Sequence, residues 1–317
     1  MDPSPRVVFM GTPEFAVQPL AALLRHGYDV GGVLTRPDRP AGRGRQVEES
    51  PVKQIARAEN LPVYQPGTLR DPDALAVLAA LKPDLIVVAA YGLILPTAVI
   101  ALPPRGCINI HGSLLPKHRG AAPIAAAIVA GEAETGVSIM LMDAGVDTGP
   151  VLSRATIEIA GDDTTGTLTT RLSALGAELL ISTLPPWLEG RVRPDPQPLQ
   201  GASYAPRIEK RDGQIRWDEP AALIARRVRA YQPWPSAHTS WRGQALKVVR
   251  ANTGERTWDQ GSGDRDWGLV VAGARDRAGV ITGDGVLWLE EVQLAGKRAL
   301  PIDDFLRGAP GFVGSQL

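Results

Sequence analysis

With 34 basic and 34 acidic side chains in 317 residues, the chain has no net charge to steer a partner, so any contact with nucleic acid must come from a local basic patch. Its one cysteine, Cys107, excludes an internal disulfide framework and every multi-cysteine zinc site, which fits a reducing, cytoplasmic setting. The first apolar run is too short for a signal peptide, and no run approaches the ~20 residues that cross a membrane.

In chain order, residues 6–10 read as a buried strand. Gly11-Thr12-Pro13 then turns into a helix, with Thr12 as N-cap and Pro13 in the first position. Leu20, Leu23 and Leu24 give this helix its apolar stripe, Gly27 ends it, and 28–35 is a second strand. This opening signals a doubly wound α/β domain. It does not signal a nicotinamide site, because that fingerprint needs three glycines for close approach to a pyrophosphate and here only Gly11 is present.

Residues 36–49 (RPDRPAGRGRQVEE) form a long loop without periodicity, carrying Arg36, Arg39, Arg43 and Arg45. Charged loops of this kind are mostly solvated insertions, and composition favours that reading. The alternative is a flexible arm for phosphates, whose oxygens match guanidinium forks. Ser50-Pro51 caps a helix to 59, followed by a strand at 61–65 and a helix at 71–81. The continuous apolar run 84–90 belongs in a parallel sheet covered on both faces. It ends at Tyr91-Gly92, beyond the carboxyl end of a strand, where such sheets bind ligands. Gly92 is either a point of close ligand approach or a simple turn glycine.

A strand at 106–110, a helix at 122–130, strands at 136–142 and 150–159, and a helix at 164–184 complete this part. Five prolines within 184–200 read as a linker. The chain therefore divides into a domain at 1–189, a linker at 190–206 and a second domain at 207–317. The second domain opens with an amphipathic helix at 220–231, basic on one side (Arg226, Arg227, Arg229), and continues as short strands of a small β-barrel. Six of the seven tryptophans lie beyond residue 200, and core packing suits them better than base stacking.

The chemistry concentrates in 107–149. Asn109 and His111 are two apart on one strand, so they share a face at its carboxyl end. An amide donor beside an imidazole suits a carbonyl carbon under attack, supplying donors for the oxyanion and an acid-base group nearby. A polar pair closing a loop has the same spacing. The turn from Asp143 to Asp147 could carry a carboxylate back over the sheet edge, where it would orient His111 and favour the charged ring. As a calcium or magnesium loop this turn has too few carboxylates. No serine sits in a nucleophile elbow, and Cys107 reads as buried and inert. Direct acyl transfer to an incoming amine fits best, with donor and acceptor unnamed.

These residues also carry a resemblance. CINIHGSLLPKHRGAAPI, followed by ETGVSIMLMDAGVDTGPVL, resembles the formyltransferases that use 10-formyltetrahydrofolate. FMGTPEFA, TRPDRPAGRGR, SPVKQIA, VVAAYGLILP and RAYQPWPSA are similar to the branch of that family that acts on methionyl-tRNA. The resemblance implies a Rossmann-like, doubly wound parallel sheet followed by an OB-type barrel. It also implies formylation of the α-amine of methionine on initiator tRNA, by a cytoplasmic monomer without a metal. Asn109, His111 and Asp147 would be catalytic. Ser113, Leu114, Leu115 and Pro116 would help bind the folate, and the backbone at Tyr91, Gly92 and Leu93 would line the pterin pocket. Arg39, Arg43 and Arg45 would enter the tRNA acceptor end, reversing the solvated reading of that loop, and Arg207 and Lys210 would lie along the tRNA backbone. His118 departs from the pattern, standing where the family has Trp or Tyr. Formylation of a small amine, such as a nucleotide sugar or glycinamide ribonucleotide, would use the same trio without the arginine loop. A non-catalytic RNA-binding protein would need no ordered trio.

Overall fold

Strand β1 (Arg6–Gly11) is buried from Val7 onward and lies inside a sheet rather than at its edge. The computed structural model describes residues 5–41, 46–254, 266–273 and 277–317. After β1 come a 3-10 turn (Glu14–Ala16), α1 (Val17–Arg25), β2 (Asp29–Leu34), a hairpin of β3 (Arg39–Ala41) and β4 (Gln46–Glu48), α2 (Pro51–Ala58) and β5 (Val63–Tyr64). The chain continues through α3 (Pro72–Ala80), β6 (Leu85–Ala89), α4 (Thr97–Ile100), β7 (Cys107–His111) and β8 (Arg119–Gly120). Next are α5 (Pro123–Ala130), β9 (Glu134–Leu141), β10 (Val151–Glu158), α6 (Thr165–Leu188) and β11 (Tyr204–Ala205).

Among the described residues the main sheet has the order β10-β9-β7-β6-β1-β2-β5. The strands β7, β6, β1, β2 and β5 run parallel, while β9 is antiparallel to β7 and β10 to β9. The expected Rossmann-like parallel sheet is present in β7, β6, β1, β2 and β5, and β9 and β10 add an antiparallel edge to it. The turn at 142–150 is too short for a crossover, which takes a dozen or more residues, so β10 has to return antiparallel. Every residue of β6 is buried, as a strand covered on both faces requires. Strand order grows outward in both directions from β1, so the crevice between β1 and β6 is the switch point where such sheets bind ligands. Gly11 ends β1 in a turn so tight that a Cβ would lie 2.7 Å from both Ala16 Cβ and Phe9 Cε1.

Local signals met their partners unevenly. The Ser50 hydroxyl accepts from Lys53 N at 3.2 Å, an N-cap contributing about 1 kcal/mol. Thr12 does not cap a helix. Its hydroxyl instead donates to Tyr91 O (2.9 Å) and accepts from Arg36 N (3.2 Å), joining the loops after β1, β2 and β6. The expected unstructured loop at 36–49 contains the β3–β4 hairpin, with its base tied by Asp38 to Lys53 and Gln65 and by Glu49 to Arg57. Helix α6 passes through Pro185 and Pro186, and its last turn is anchored by Trp187 Nε1 donating to Arg105 O at 3.1 Å. The segment read as a linker is ordered: Asp195 exchanges two 2.8 Å backbone bonds with Val151, and β11 pairs with β8. Among the described residues no helix is long and apolar enough to cross a membrane.

Two compact units result, one of residues 1–123, 134–158 and 168–205 and one of 124–133, 159–167 and 206–317. The second holds α7 (Ala221–Ala230), β12 (His238–Trp241), β13 (Gln244–Gly254), β14 (Val270–Ala272), β15 (Ala278–Ile281), β16 (Val286–Leu294), β17 (Leu300–Pro301) and α8 (Ile302–Arg307). Its sheet is antiparallel, in the order β12-β13-β16-β15-β14 with β17 on β16. Trp241, Phe305 and Phe312 pack edge-on at 5.0–5.8 Å in its core, and Trp217 is buried in the same cluster. Trp234 and Trp267 are exposed. The basic side expected on α7 is engaged internally: Arg226 donates to Val129 O, Arg229 to Asp163 O, and Arg227 pairs with Glu219.

Cys107 is buried in β7, with its thiol donating to Val99 O at 3.6 Å, and burial pushes its pKa up to about 12. At pH 8 it is a neutral thiol with no route to solvent. A disulfide reagent such as Ellman's should react with it only as fast as the protein unfolds, and completely in guanidinium. Rapid reaction with the native chain would contradict this placement.

Candidate active site

Strand β7 presents Asn109 and His111 on one face, buried to 9 % and 5 % exposure. Its neighbours set them in place: Asn109 is opposite Val88 of β6, and His111 is opposite Ser138 of β9. The turn after β9 returns over the sheet edge and brings Asp147 to both. Asp147 Oδ1 accepts from Asn109 Nδ2 at 3.3 Å, and Oδ2 lies 3.6 Å from His111 Nδ1. Oδ2 also accepts from Gly120 N at 2.8 Å. The three residues singled out from the sequence therefore stand together.

The geometry fixes more than proximity. His111 Nε2 lies 3.0 Å from His118 O, and a carbonyl can only accept, so Nε2 carries hydrogen. In the neutral ring Nδ1 then bears the lone pair and faces Asp147. A proton added to the ring goes to Nδ1, against the carboxylate. Asn109 keeps a second amide hydrogen beyond the one given to Asp147.

Asp147 has φ +51°, a left-handed conformation that costs about 1–2 kcal/mol outside glycine. A charge-assisted bond from Gly120 helps to offset this cost. Gly120 itself has φ +108°, and a Cβ there would lie 2.6 Å from Ala205 O and 2.7 Å from Tyr204 Cε2. Only glycine lets this backbone reach the carboxylate beneath β11. The first acid of the turn, Asp143, shapes it from within, accepting from Gly145 N (3.0 Å) and Thr148 Oγ1 (2.7 Å). Among the described residues no group of three His, Cys, Asp or Glu side chains could hold a metal ion.

The proline loop is anchored from inside. Ser113 is fully buried, with its hydroxyl donating to Lys117 O at 2.6 Å, and Leu115 packs on Met140 and Val151. Ser138 Oγ donates to Ser113 O (2.8 Å) and accepts from Leu115 N (3.0 Å). Leu114 and Pro116 are the half-buried members. At the neighbouring crevice Tyr91 is buried in an apolar cluster, and burial pushes its phenol up to about 12. Gly92 is exposed with φ +84° and its carbonyl accepts from Arg36, while Leu93 is half-buried.

Arg207 and Lys210 are exposed and belong to the second unit. Arg39 is in β3, while Arg43 and Arg45 lie outside the described residues. His118, the departure from the family pattern, meets His111 through its backbone carbonyl, a contact independent of its side chain. Sequence reasoning missed Ser203, whose hydroxyl accepts from His118 N at 2.9 Å. It also missed Gln197, which bonds the backbone of the Asp147 turn. Both lie in the proline-rich stretch read as a linker, and no local pattern marks them.

The family model described as formyl transferase matches residues 5–184, and the one described as formyl transferase, C-terminal domain, matches 207–310. A protein of Roseiflexus castenholzii named methionyl-tRNA formyltransferase is 48 % identical over 313 residues, 98 % of each chain. One of Myxococcus xanthus with the same name is 48 % identical over 312 residues, 98 % of this chain and 97 % of that one. Among solved structures, an N-formyltransferase of Helicobacter canadensis, in complex with folinic acid and dTDP-3-aminofucose, superposes with a TM-score of 0.65 at 17 % identity. That match covers 92 % of this chain and 99 % of the other. HypX of Aquifex aeolicus in complex with tetrahydrofolic acid gives 0.62 at 19 % identity, over 96 % of this chain and 47 % of HypX. At such identities these two structures speak for the fold. The family models and the near-full-length relatives reach further: the chain belongs to the formyl transferase family, in the branch of the methionyl-tRNA formyltransferases.

Proposed function

We propose that this chain transfers the formyl group of 10-formyltetrahydrofolate to the α-amine of methionine on initiator tRNA, for translation initiation. One observation carries the reading: Asn109, His111 and Asp147 converge at the carboxyl end of the sheet in a chain nearly half identical, end to end, to methionyl-tRNA formyltransferases.

The chain's residues divide the work. Asn109 directs its remaining N–H at the oxygen of the formyl carbonyl as the neutral amine attacks its carbon, and the positive charge of the ring of His111, protonated on Nδ1, stabilises the oxyanion that forms. Asp147 keeps the Nδ1 proton in place and, directly or through water, takes the proton that the amine sheds. A C–N bond to the methionyl nitrogen forms and the C–N bond to the folate nitrogen breaks. The folate nitrogen gains the proton that the amine loses, so the exchange balances without a covalent enzyme intermediate.

For the folate, Gly92 offers exposed backbone, and Leu93, Leu114 and Pro116 are half-buried and apolar, which suits a flat heteroaromatic ring. Tyr91, Ser113 and Leu115 act as shape, since their side chains are buried. Arg39, Arg43 and Arg45 grip the phosphates of the acceptor end, and Arg207 and Lys210 line the path of the tRNA backbone. We assign catalysis to 1–189, connection to 190–206 and tRNA contact to 207–317, with the antiparallel sheet closing as an OB-type barrel. The enzyme acts as a cytoplasmic monomer.

Two outcomes test the reading. Asn109→Ala should slow single-turnover formylation on the order of 10²–10³-fold, as loss of an oxyanion donor does, and Asp147→Asn on the order of 10²–10⁴-fold, as loss of a positioned acid-base group does. Rates within a few-fold of the parent would remove these residues from the chemistry. Offered methionyl initiator tRNA, glycinamide ribonucleotide and a dTDP-linked amino sugar with 10-formyltetrahydrofolate, the protein should formylate only the tRNA. Formylation of a small amine in preference to the tRNA would overturn the acceptor assignment.

A further inference from the structure

Gln197 is half-buried in a stretch whose other members, from Asp195 to Gln200, are exposed. Its amide is fully engaged. Oε1 accepts from Arg119 Nε (3.0 Å) and Nη2 (2.8 Å), and Nε2 donates to Asp147 O (2.9 Å) and Gly149 O (2.6 Å). A guanidinium only donates and a carbonyl only accepts, so the amide can be oriented one way only. The stretch is itself anchored, because Asp195 pairs through its backbone with Val151 of β10.

The two carbonyls held by Nε2 flank Thr148 on the turn that carries Asp147. This turn contains Gly145 and Gly149, and Asp147 is left-handed within it, so other backbone conformations lie close by. The Asp143 bonds fix the shape of the turn from within but do not set where it sits over β7. Gly120 N holds the carboxylate, whereas Gln197 holds the backbone. Through Arg119 the same amide grips β8, which carries Gly120 and follows His118, the residue whose carbonyl receives His111 Nε2. A single side chain therefore ties the Asp147 turn to the segment that orients His111.

We propose that Gln197 is a positioning residue for formyl transfer, holding Asp147 and His111 in register without touching either substrate. The inference rests on the function proposed above. Gln197→Glu separates its two duties: the carboxylate still accepts from Arg119 but has no hydrogen for the turn carbonyls. Gln197→Ala removes both.

The test is single-turnover formylation of methionyl-tRNA by Gln197→Ala, Gln197→Glu, Asp147→Asn and the double variants, with KM for each substrate and thermal unfolding measured alongside. Both Gln197 variants should lose on the order of 10²-fold in rate, the scale of a 1 Å misplacement, with KM values changed less than about threefold. Placed on Asp147→Asn, either substitution should cost no more than about twofold further, because residues acting as a unit are non-additive. Should Gln197→Ala unfold, Gln197→Glu, which keeps the Arg119 anchor, decides alone. Parent rates in Gln197→Glu, or a full additional loss on Asp147→Asn, would overturn the assignment. A fast Asp147→Asn would instead bring down the site, and Gln197 with it, whereas a slow Asp147→Asn beside a fast Gln197→Glu would count against Gln197 alone.

Discussion

The carboxylate of Asp147 is the constraint on which the site depends. It receives Asn109 from the end of β7 and Gly120 from β8, and it stands 3.6 Å from the ring of His111. None of these groups is close to Asp147 in the chain. Because β9 is antiparallel to β7, the turn leaving β9 starts beside Cys107, at the amino end of β7, and has to fold back along the sheet to bring Asp147 to Asn109 and His111.

The same logic explains why so much backbone around the site is unusual. His118, Gly120 and Asp147 all have positive φ, and each uses that conformation to aim a backbone or side-chain group at its neighbours: a carbonyl at His111, an N–H at Asp147, a carboxylate at Asn109. Such conformations persist where the surroundings over-determine them. Here the surroundings include β11, laid on Gly120, and the hydroxyl of Ser203 beneath His118. Outside the trio, Thr12 and Arg36 do comparable work at the crevice, fastening the Tyr91–Gly92 loop to the ends of β1 and β2.

What could be read from the chain follows the range of the interactions. The Ser50 cap is local and was legible, as were the continuous burial of β6 and the shared face of Asn109 and His111. The approach of Asp147 was legible as well, since an acidic turn after a neighbouring strand has few places to go. Strand direction was not, because period-two burial is the same for both directions. Thr12 before Pro13 has the composition of a cap, yet a hydrogen bond to Tyr91, distant in sequence, took its hydroxyl. Prolines near 185–198 speak of local backbone and not of partners far away. They therefore concealed the end of α6 and the bonds of Gln197 and Ser203 to the site. The arginines of α7 read as one basic side of an amphipathic helix, but carbonyls and an acid within their own unit hold them.

The account turns on the state of one ring: His118 O keeps the hydrogen on Nε2, leaving Nδ1 of His111 to face Asp147 and to accept the proton that readies it for an oxyanion. Nitrogen NMR of protein labelled in histidine reads this directly, with the His111 resonances assigned by comparison with His111→Asn. The neutral ring should show a protonated Nε2 and a bare Nδ1, and on acidification the incoming proton should appear at Nδ1. A neutral His111 with its hydrogen on Nδ1 and a bare Nε2 would contradict the geometry on which the mechanism is built.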